Sequence, residues 1–417
     1  GTLFCNTDLA KTYRRLLSDS KNAGGNREHK IEAARDSWYR GFIAEAIDKF
    51  CSTTKVLDTT GQHHAGLLCG DDLDRWQATI EEPLTYDYHG YTLCKTGPWG
   101  QGPVALQHLA LLNQFDLSQF KPEDPEFIHL LVETSKLAFA DREAFYGDPN
   151  FVDVPIDALL SSQYNANRKI LIDSEASLLL RPGQIPGYDR EAVTPTIDAS
   201  SLETPGAGEP TVSSAIDVMT RGERRGDTCH LDVIDRWGNM VSATPSGGWL
   251  SSSPVIPELG FPLTTRGQMF WLDENAAASI EPGKRPRTTL TPSLALRDGE
   301  PYMVFGTPGG DQQDQWSLHV FLKHVHHGMN LQQSIDSPDF HTDHFPSSFY
   351  PRLSHPGQVT IESRYGVSLI NELRDRGHKV EVESDWSLGR CSAAVRDGNL
   401  LRAAANPRQM QGYAVGR

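Results

Sequence analysis

The chain has 417 residues, a formal net charge of −15 and six cysteines. This length exceeds what one typical hydrophobic core supports, so we expect one large layered domain or two to three smaller ones. An acidic chain disfavours binding to nucleic acid and to anionic membranes, because both partners require basic surfaces. The sequence contains no apolar run of about 18 residues, so it predicts no membrane-spanning helix.

The cysteines are scattered without a CxxC spacing, which is typical of free thiols in a reducing compartment. We therefore expect a cytoplasmic protein. The first residues lack the basic and apolar regions of a signal peptide, but the chain begins at Gly1 and not at a methionine. Because residue 1 need not be the true start of the protein, a periplasmic or secreted location stays open.

The first half of the chain is predicted to be mainly helical. Apolar residues recur at helical spacing, and in one segment they place Trp38, Phe42 and Ile47 on one face. Acidic residues open the last of these segments, where their charge complements the helix dipole. The predicted helices cover residues 8–17, 34–50, 102–115 and 126–145.

A polar stretch separates the two halves of the chain. Residues 181–217 are rich in Pro, Gly, Ser, Thr and Asp, so we predict an exposed, partly disordered linker. Short alternating or apolar runs bounded by glycine turns then predict strands at 230–235, 240–244, 293–297, 302–307 and 379–383, with helices at 314–327, 331–334 and 363–377. A helix-rich first half before a strand-rich second half favours an α+β fold or a layered αββα sandwich.

The most informative segment is the predicted hairpin that begins at Thr228. A threonine hydroxyl is a weak nucleophile, and the segment offers no obvious activating Lys or Asp. If the bond before Thr228 is cut, the free α-amine, with a pKa of about 7.7 to 8.0, can act as the base. The pattern alone also fits an ordinary half-buried strand threonine. The neighbouring Cys229 fits a buried inert thiol better than a nucleophile.

Five segments occur in an order that matches one family. They are the Tyr-Arg-Gly stretch at 38–45, the helix and Gly-Asp-Pro turn at 129–149, Thr-Cys-His and its turn at 228–239, Lys-Arg-Pro at 282–292, and Thr-Pro-Gly-Gly at 306–310. Together they resemble the γ-glutamyltransferases (glutathione hydrolases), which are N-terminal nucleophile hydrolases. The resemblance implies a four-layer αββα sandwich of that type.

The resemblance also implies a precursor that cuts itself between Asp227 and Thr228. The Thr228 hydroxyl would attack the Asp227 carbonyl, and water would hydrolyse the resulting ester. Residues 1–227 would then be the large-subunit region and residues 228–417 the small-subunit region, which together form one catalytic domain. A homodimer stays open. The family's large subunit has a helical segment before the part that matches Gly1, so the resemblance implies that this sequence starts inside the protein.

Roles within the site follow from the same resemblance. Thr228 would be nucleophile and base, and Ser246 would hydrogen-bond its hydroxyl or amine. Thr244 would be a substrate-binding residue whose hydroxyl lies close to the nucleophile. Gly309 and Gly310 would form the oxyanion hole through their backbone N–H groups, which a substrate can approach because no Cβ intervenes.

The substrate-binding positions depart from the transpeptidases. Thr288 and Thr289 replace paired serines that hold the substrate carboxylate, so hydroxyl donors are kept in a narrower pocket. Where the transpeptidases have an acid that pairs with the γ-glutamyl α-amine, residues 260–270 contain no acid and include Arg266. A buried ammonium without a counter-charge is costly, whereas an arginine favours carboxylates. We therefore predict a small amide whose acyl part carries a carboxylate but no amine, such as oxamate or a dicarboxylic monoamide.

Two other functions stay open at this point. One is true γ-glutamyl transfer or glutathione hydrolysis, with the missing acid supplied from elsewhere, and the other is a non-catalytic binding or scaffold protein. We predict no cofactor and no metal. His324, His326 and His327 end a predicted helix, where cationic side chains suit the dipole, and no further ligand at useful spacing is evident.

Overall fold

The computed structural model describes residues 2–57, 61–194, 228–247, 253–349, 352–408 and 412–416. It divides into two compact units. The helical unit comprises Gly1–Glu81 with Gly247–Thr265, and the sheet unit comprises Glu82–Ser246 with Arg266–Arg417. Residues from both sides of the predicted subunit boundary contribute to each unit. Asp227, and with it the bond before Thr228, lies outside the described residues.

The helical unit has four helices among its described residues. Asn6 and Asn26 cap the first two, accepting hydrogen bonds from the N–H groups of Leu9 and His29. The helix predicted at 34–50 is in fact two helices, because the chain turns at Gly41. The elements are α1 (Thr7–Asn22), α2 (Arg27–Tyr39), α3 (Phe42–Thr53), α4 (Gly70–Arg75) and the two-residue strand pairs β1 (Val56–Leu57) with β2 (His63–His64) and β7 (Val255–Ile256) with β8 (Phe261–Pro262).

The sheet unit is organised around six antiparallel strands. In spatial order these are β15 (Leu400–Ala405), β14 (Ser392–Asp397), β10 (Glu300–Gly306), β9 (Ser293–Arg297), β4 (Tyr91–Lys95) and β3 (Leu84–Tyr88). The two central strands are those predicted at 293–297 and 302–307. Strands β3 and β4 come from the half predicted to be helical, and β4 pairs directly with β9 from the other half.

Seven helices and a second, three-stranded sheet complete this unit among its described residues. The helices are α5 (Gly102–Leu112), α6 (Pro125–Phe145), α7 (Ile156–Leu160), α8 (Ser162–Lys169), α9 (Gln313–His327), α10 (Leu331–Asp336) and α11 (Val367–Asp375). In the second sheet, β12 (Gln358–Glu362) pairs antiparallel with β11 (Phe340–Thr342) and parallel with β13 (Lys379–Glu383). Within the described parts of the chain, no helix is long and apolar enough to cross a membrane.

The predicted linker does not begin at residue 181. Arg181 pairs with Glu133 of α6 at 3.0 Å, the N–H of Gly183 donates to Asp141 at 2.6 Å, and Ile185 is buried in the core. The start of this segment is ordered against α6, because Arg181 neutralises the buried carboxylate of Glu133 and Gly183 donates a hydrogen bond to that of Asp141. Residues 195–217 of the predicted linker lie outside the described residues.

The hairpin after Thr228 forms a separate layer. It consists of β5 (Leu231–Ile234) and β6 (Met240–Ala243), with Leu231 opposite Ala243. Phe305 of β10 stacks on Phe321 of α9, with ring centroids 5.7 Å apart, while the next residue, Gly306, faces the ring of His230. Because successive side chains in a strand point to opposite faces, α9 and the hairpin cover opposite faces of the sheet. The α+β class predicted from the sequence is confirmed.

Candidate active site

Thr228 extends the strand pairing of the hairpin by one further step. The Cys229 N–H donates to the Pro245 carbonyl at 3.0 Å, which brings Thr228 opposite Ser246. The Thr228 hydroxyl donates to Ser246 Oγ at 3.0 Å, and only 7% of Thr228 is exposed. Alternation sends the Cys229 side chain to the other face, where it is exposed, so the expected burial of this thiol is wrong.

Arg266 reaches the same hydroxyl from a different segment. It begins a short 3-10 turn, Arg266–Met269, and its guanidinium donates to Ser246 Oγ. Ser246 therefore accepts from Thr228 on one side and from Arg266 on the other. Arg266 is 9% exposed, and its Cζ lies 5.7 Å from the centroid of the Phe349 ring. A positive charge thus lies one hydroxyl away from the Thr228 oxygen.

Arg352 holds the turn that carries Arg266. Its guanidinium donates to the carbonyls of Gln268 and Phe270 at 3.1 and 2.6 Å and to that of Ser348 at 3.2 Å. Burial, reinforced by neighbouring arginine charge, lowers the pKa of Arg352 to about 10. Its backbone φ is +62°, a conformation that is uncommon for a residue with a side chain. Sequence reasoning did not find Arg352.

Gly309 and Gly310 lie just before the N-terminus of α9, at the start of a short 3-10 turn. Their φ angles of +135° and +58° lie in the region that favours glycine. A Cβ on Gly309 would lie 2.5 Å from the Trp316 ring, and one on Gly310 would lie 3.0 Å from the Phe349 ring. The Phe349 ring therefore lies beside both Gly310 and Arg266.

A buried ion-pair network begins at Asp311, the residue that follows the two glycines. Asp311 accepts hydrogen bonds from the backbone N–H and the hydroxyl of Ser348, at 2.8 and 2.6 Å. It also pairs with Arg142, which pairs with Glu143, and Glu143 pairs in turn with Arg287 at 2.9 Å. Burial opposes the charge on Arg142, but the two carboxylates outweigh it and raise the pKa of Arg142 above its ordinary value. The network fixes the loop that follows the glycines.

Thr288 and Thr289 are connected to Gly310 through a neighbouring loop. The Thr288 N–H donates to the Trp99 carbonyl at 3.0 Å, and two residues later the Gln101 side chain donates to the Gly310 carbonyl at 3.4 Å. Both threonine hydroxyls are buried, and within the described part of the chain neither has a hydrogen-bond partner. They are two donors that a ligand oxygen would satisfy.

Thr244 lies on the inner face of the hairpin, and its hydroxyl is 2.8 Å from His230 Nδ1. The other ring nitrogen of His230 lies 3.0 Å from both carboxylate oxygens of Asp232. Ser392 of β14 donates to the same carboxylate at 3.0 Å. Thr244 was named from the sequence, but His230, Asp232 and Ser392 were not, although the alternation of polar and apolar residues along β5 is a visible signal for Asp232.

The histidines at the end of α9 have other partners. The ring nitrogens of His324 and His326 lie 2.8 Å from the hydroxyls of Tyr302 and Tyr88, so these two rings pack onto the sheet. A different group, His129, Glu133 and His378, has potential ligand atoms within 4.8 Å of one another. There the two histidines hydrogen-bond each other at 2.8 Å, and Glu133 pairs with Lys136 and Arg181. We assign no metal to it, because the single carboxylate is already neutralised.

Comparison with known proteins points to one family. The family described as Gamma-glutamyltranspeptidase matches residues 1–416. The oxamate amidohydrolase proenzyme of Klebsiella pneumoniae is 30% identical over 421 residues, covering 100% of this chain and 66% of that protein. The glutathione hydrolase proenzyme of Bacillus subtilis is 28% identical over 381 residues, covering 91% of this chain. The chain spans only 56% of the length of that relative.

The structural comparison agrees. Solved structures of a protein called LmbA2991 are 51% and 52% identical to this chain, with a TM-score of 0.88, and cover 100% of it and 69% of their own chains. This chain therefore shares their fold over its whole length, and the family match supports the fold type predicted from the sequence.

Proposed function

The chain belongs to the gamma-glutamyltranspeptidase family, and on that premise we propose that it is a self-processing amidohydrolase with Thr228 as its nucleophile. Its substrate is a small amide whose acyl part carries a carboxylate. The observation that carries this proposal is the hydrogen-bonded chain from Thr228 through Ser246 to the buried guanidinium of Arg266. These hydrogen bonds connect a candidate nucleophile to a side chain that can bind a carboxylate.

Self-cleavage comes first in the proposed sequence. The Thr228 oxygen bonds to the carbonyl carbon of Asp227, and collapse of the tetrahedral intermediate breaks the C–N bond, which leaves an ester and a free amine. Water then hydrolyses the ester, returning the hydroxyl to Thr228 and a carboxylate to Asp227. Ser246 orients the Thr228 hydroxyl through the hydrogen bond of 3.0 Å between them. The products are a large and a small subunit from one precursor.

Turnover then uses the new amine as base. It takes the proton of the Thr228 hydroxyl as that oxygen attacks the substrate amide, and it returns the proton to the departing amine or ammonia. The N–H groups of Gly309 and Gly310 stabilise the oxyanion, and donors of this kind contribute roughly 3 to 4 kcal/mol each. A water molecule, deprotonated by the same amine, resolves the acyl-enzyme and releases a carboxylic acid.

Arg266 is proposed to bind the carboxylate of the acyl group. A planar guanidinium offers paired N–H groups to a carboxylate, and the buried hydroxyls of Thr288 and Thr289 are further donors. Because one hydroxyl separates Arg266 from Thr228, a short acyl group such as the oxalyl group of oxamate suits the site better than a long one. The sequence of the turn that carries Arg266 contains no acid to receive a substrate ammonium.

An amide panel tests this proposal. Glutaryl-, γ-glutamyl- and pentanoyl-p-nitroanilide differ in a carboxylate and an amine while keeping one leaving group, and oxamate hydrolysis is followed by ammonia release. We expect turnover of oxamate or the glutaryl amide well above that of the other two. Turnover of the γ-glutamyl amide at a comparable rate would instead support true γ-glutamyl transfer. A protein that stays as one chain and releases no amine from any amide would support the scaffold function.

A further inference from the structure

The contact between His230 and Gly306 joins the strand of the proposed nucleophile to the loop of the proposed oxyanion hole. A Cβ built on Gly306 would lie 2.7 Å from Nε2 and 2.8 Å from Nδ1 of the His230 ring, and closer still to Cε1. A real Cβ essentially never comes this close to a non-bonded heavy atom, so position 306 admits no side chain while the ring stays in place. The need for glycine here is one of space, because Gly306 is not among the residues with positive φ.

The His230 ring is held on both of its nitrogens. Nδ1 bonds the Thr244 hydroxyl at 2.8 Å, and Nε2 bonds the Asp232 carboxylate at 3.0 Å. Asp232 also accepts from Ser392, which lies directly opposite Gly306 in the pairing of β14 with β10. The ring therefore cannot swing away from Gly306 without breaking buried hydrogen bonds.

We propose that His230 and Gly306 act as a spacer that sets the distance between Thr228 and the loop of Gly309 and Gly310. His230 is thus a positioning residue, two residues from Thr228 on the same face of the hairpin, and Gly306 lies three residues before Gly309. This inference rests on the proposed function, since it assumes that Thr228 attacks and that the two glycines receive the oxyanion. A misplacement of about 1 Å between reacting groups costs on the order of 100-fold in rate.

The spacing account differs from one in which His230 is a base. Thr244 and Asp232 each bond one of the two ring nitrogens. If His230 is a spacer, its ring takes no part in proton transfer. A base cannot be replaced by a side chain that does not titrate, whereas a spacer can be exchanged for another combination of side chains that fills the same gap. A compensating pair of substitutions therefore separates the two accounts.

The test is a two-residue cycle. Gly306→Ala alone should displace the hairpin by roughly 1 Å and slow both self-cleavage and kcat about 100-fold, with KM changed less than threefold. His230→Asn removes the ring atoms closest to Gly306 and keeps an amide beside Thr244, so it should cost about tenfold. The double variant should be at least tenfold faster than Gly306→Ala. Gly70→Ala, where the added methyl meets only ordinary contacts, is the matched control.

Two outcomes would overturn the inference: Gly306→Ala as active as wild type, or a double variant no faster than Gly306→Ala. Thermal unfolding of each variant is measured alongside. If Gly306→Ala does not fold, the His230→Asn variant decides alone. The spacer account predicts that it lowers kcat at nearly constant KM, and a change in KM alone would refute the account. Kinetics of Thr228→Ala, measured in parallel, separate a failure of the spacer inference from a failure of the proposed function. If the Thr228→Ala variant still hydrolyses amides, the proposed function is wrong. If Thr228→Ala is inactive but the double variant is no faster than Gly306→Ala, only the spacer inference is wrong.

Discussion

Replacing Arg266 by glutamine removes its charge while keeping a side-chain amide that can donate to Ser246. Arg266 is 9% exposed, and its guanidinium donates to Ser246 Oγ, the group that also accepts from Thr228. If Arg266 binds the substrate carboxylate, Arg266→Gln converts a charge-assisted contact into a neutral one. The change should weaken the binding of amides that carry a carboxylate and spare those that do not.

The expected loss follows from the burial of the site. Hydrogen bonds to a charged partner contribute about 1.5 to 3 kcal/mol, roughly twice the value of neutral ones. A loss of about 2 to 3 kcal/mol corresponds to roughly 30- to 150-fold in kcat/KM. The same substitution should lower kcat/KM for the pentanoyl amide, which has a methyl group where the glutaryl amide has its carboxylate, by about threefold or less. Self-cleavage involves no substrate carboxylate and should change little.

The assay is initial-rate kinetics on glutaryl- and pentanoyl-p-nitroanilide with wild type, Arg266→Gln and Arg402→Gln. Arg402 is a suitable control because it lies on the edge strand β15, pairs with Asp397 at 3.3 Å and has a side chain 55% exposed. Equal losses on the two amides would show that Arg266 supports the nucleophile and does not read the carboxylate. No loss on either would show that the carboxylate binds elsewhere.

Three further predictions test the surroundings of the site. Gly309→Ala, whose methyl would lie 2.5 Å from the Trp316 ring at a φ of +135°, should lower kcat by 100-fold or more with KM little changed in steady-state kinetics. Arg352→Met leaves buried carbonyls without donors, so it should lower the free energy of unfolding by about 1 to 3 kcal/mol per carbonyl and raise KM for the glutaryl amide, as checked by urea titration and kinetics. Burial lowers the pKa of His344, which lies 3.0 Å from the Leu179 carbonyl, to about 4. Since the unfolded chain then binds the extra proton, stability should fall as the pH drops from about 6.5 to 4, and urea titration should show a weaker fall for His344→Gln.

Strong local patterns predicted most of the helices. The helices expected at 102–115, 126–145 and 314–327 correspond to α5, α6 and α9, because each has a continuous apolar surface and begins with a clear start signal. The helix expected at 363–377 starts at Val367, since the chain first makes a short 3-10 turn. The pattern at 34–50 continues across Gly41, where the backbone nevertheless breaks the helix.

The missed strands carried a signal that was not used. Strands β3 and β4 flank a tight turn at His89 and Gly90, both with positive φ, and β14 and β15 flank one at Gly398 and Asn399. Each pair joins two short runs through two residues, which is a hairpin pattern. The helical residues on either side of β3 and β4 obscured it. The pairing of β4 with β9, some 200 residues away, depends on the tertiary fold, which no local pattern encodes.

Residue types in the site were predictable, but their contacts were not. Thr228, Ser246 and Arg266 were each named from the sequence, yet the hydrogen bonds that join them depend on how the turn at Arg266 folds back toward the hairpin. Arg352 and Asp311 escaped detection because their partners lie 84 and 169 positions away. The support around a site is a tertiary property, and a single sequence does not show it.

The central claim is that Thr228 cuts the bond before itself and thereby becomes the catalytic N-terminus. Intact-mass measurement of purified wild type and Thr228→Ala tests it most directly, with N-terminal sequencing of any fragment. We predict that wild type yields a fragment that begins at Thr228 and that Thr228→Ala remains one chain. Cleavage of the Thr228→Ala variant at the same bond, or an uncut wild type that hydrolyses amides, would contradict the account.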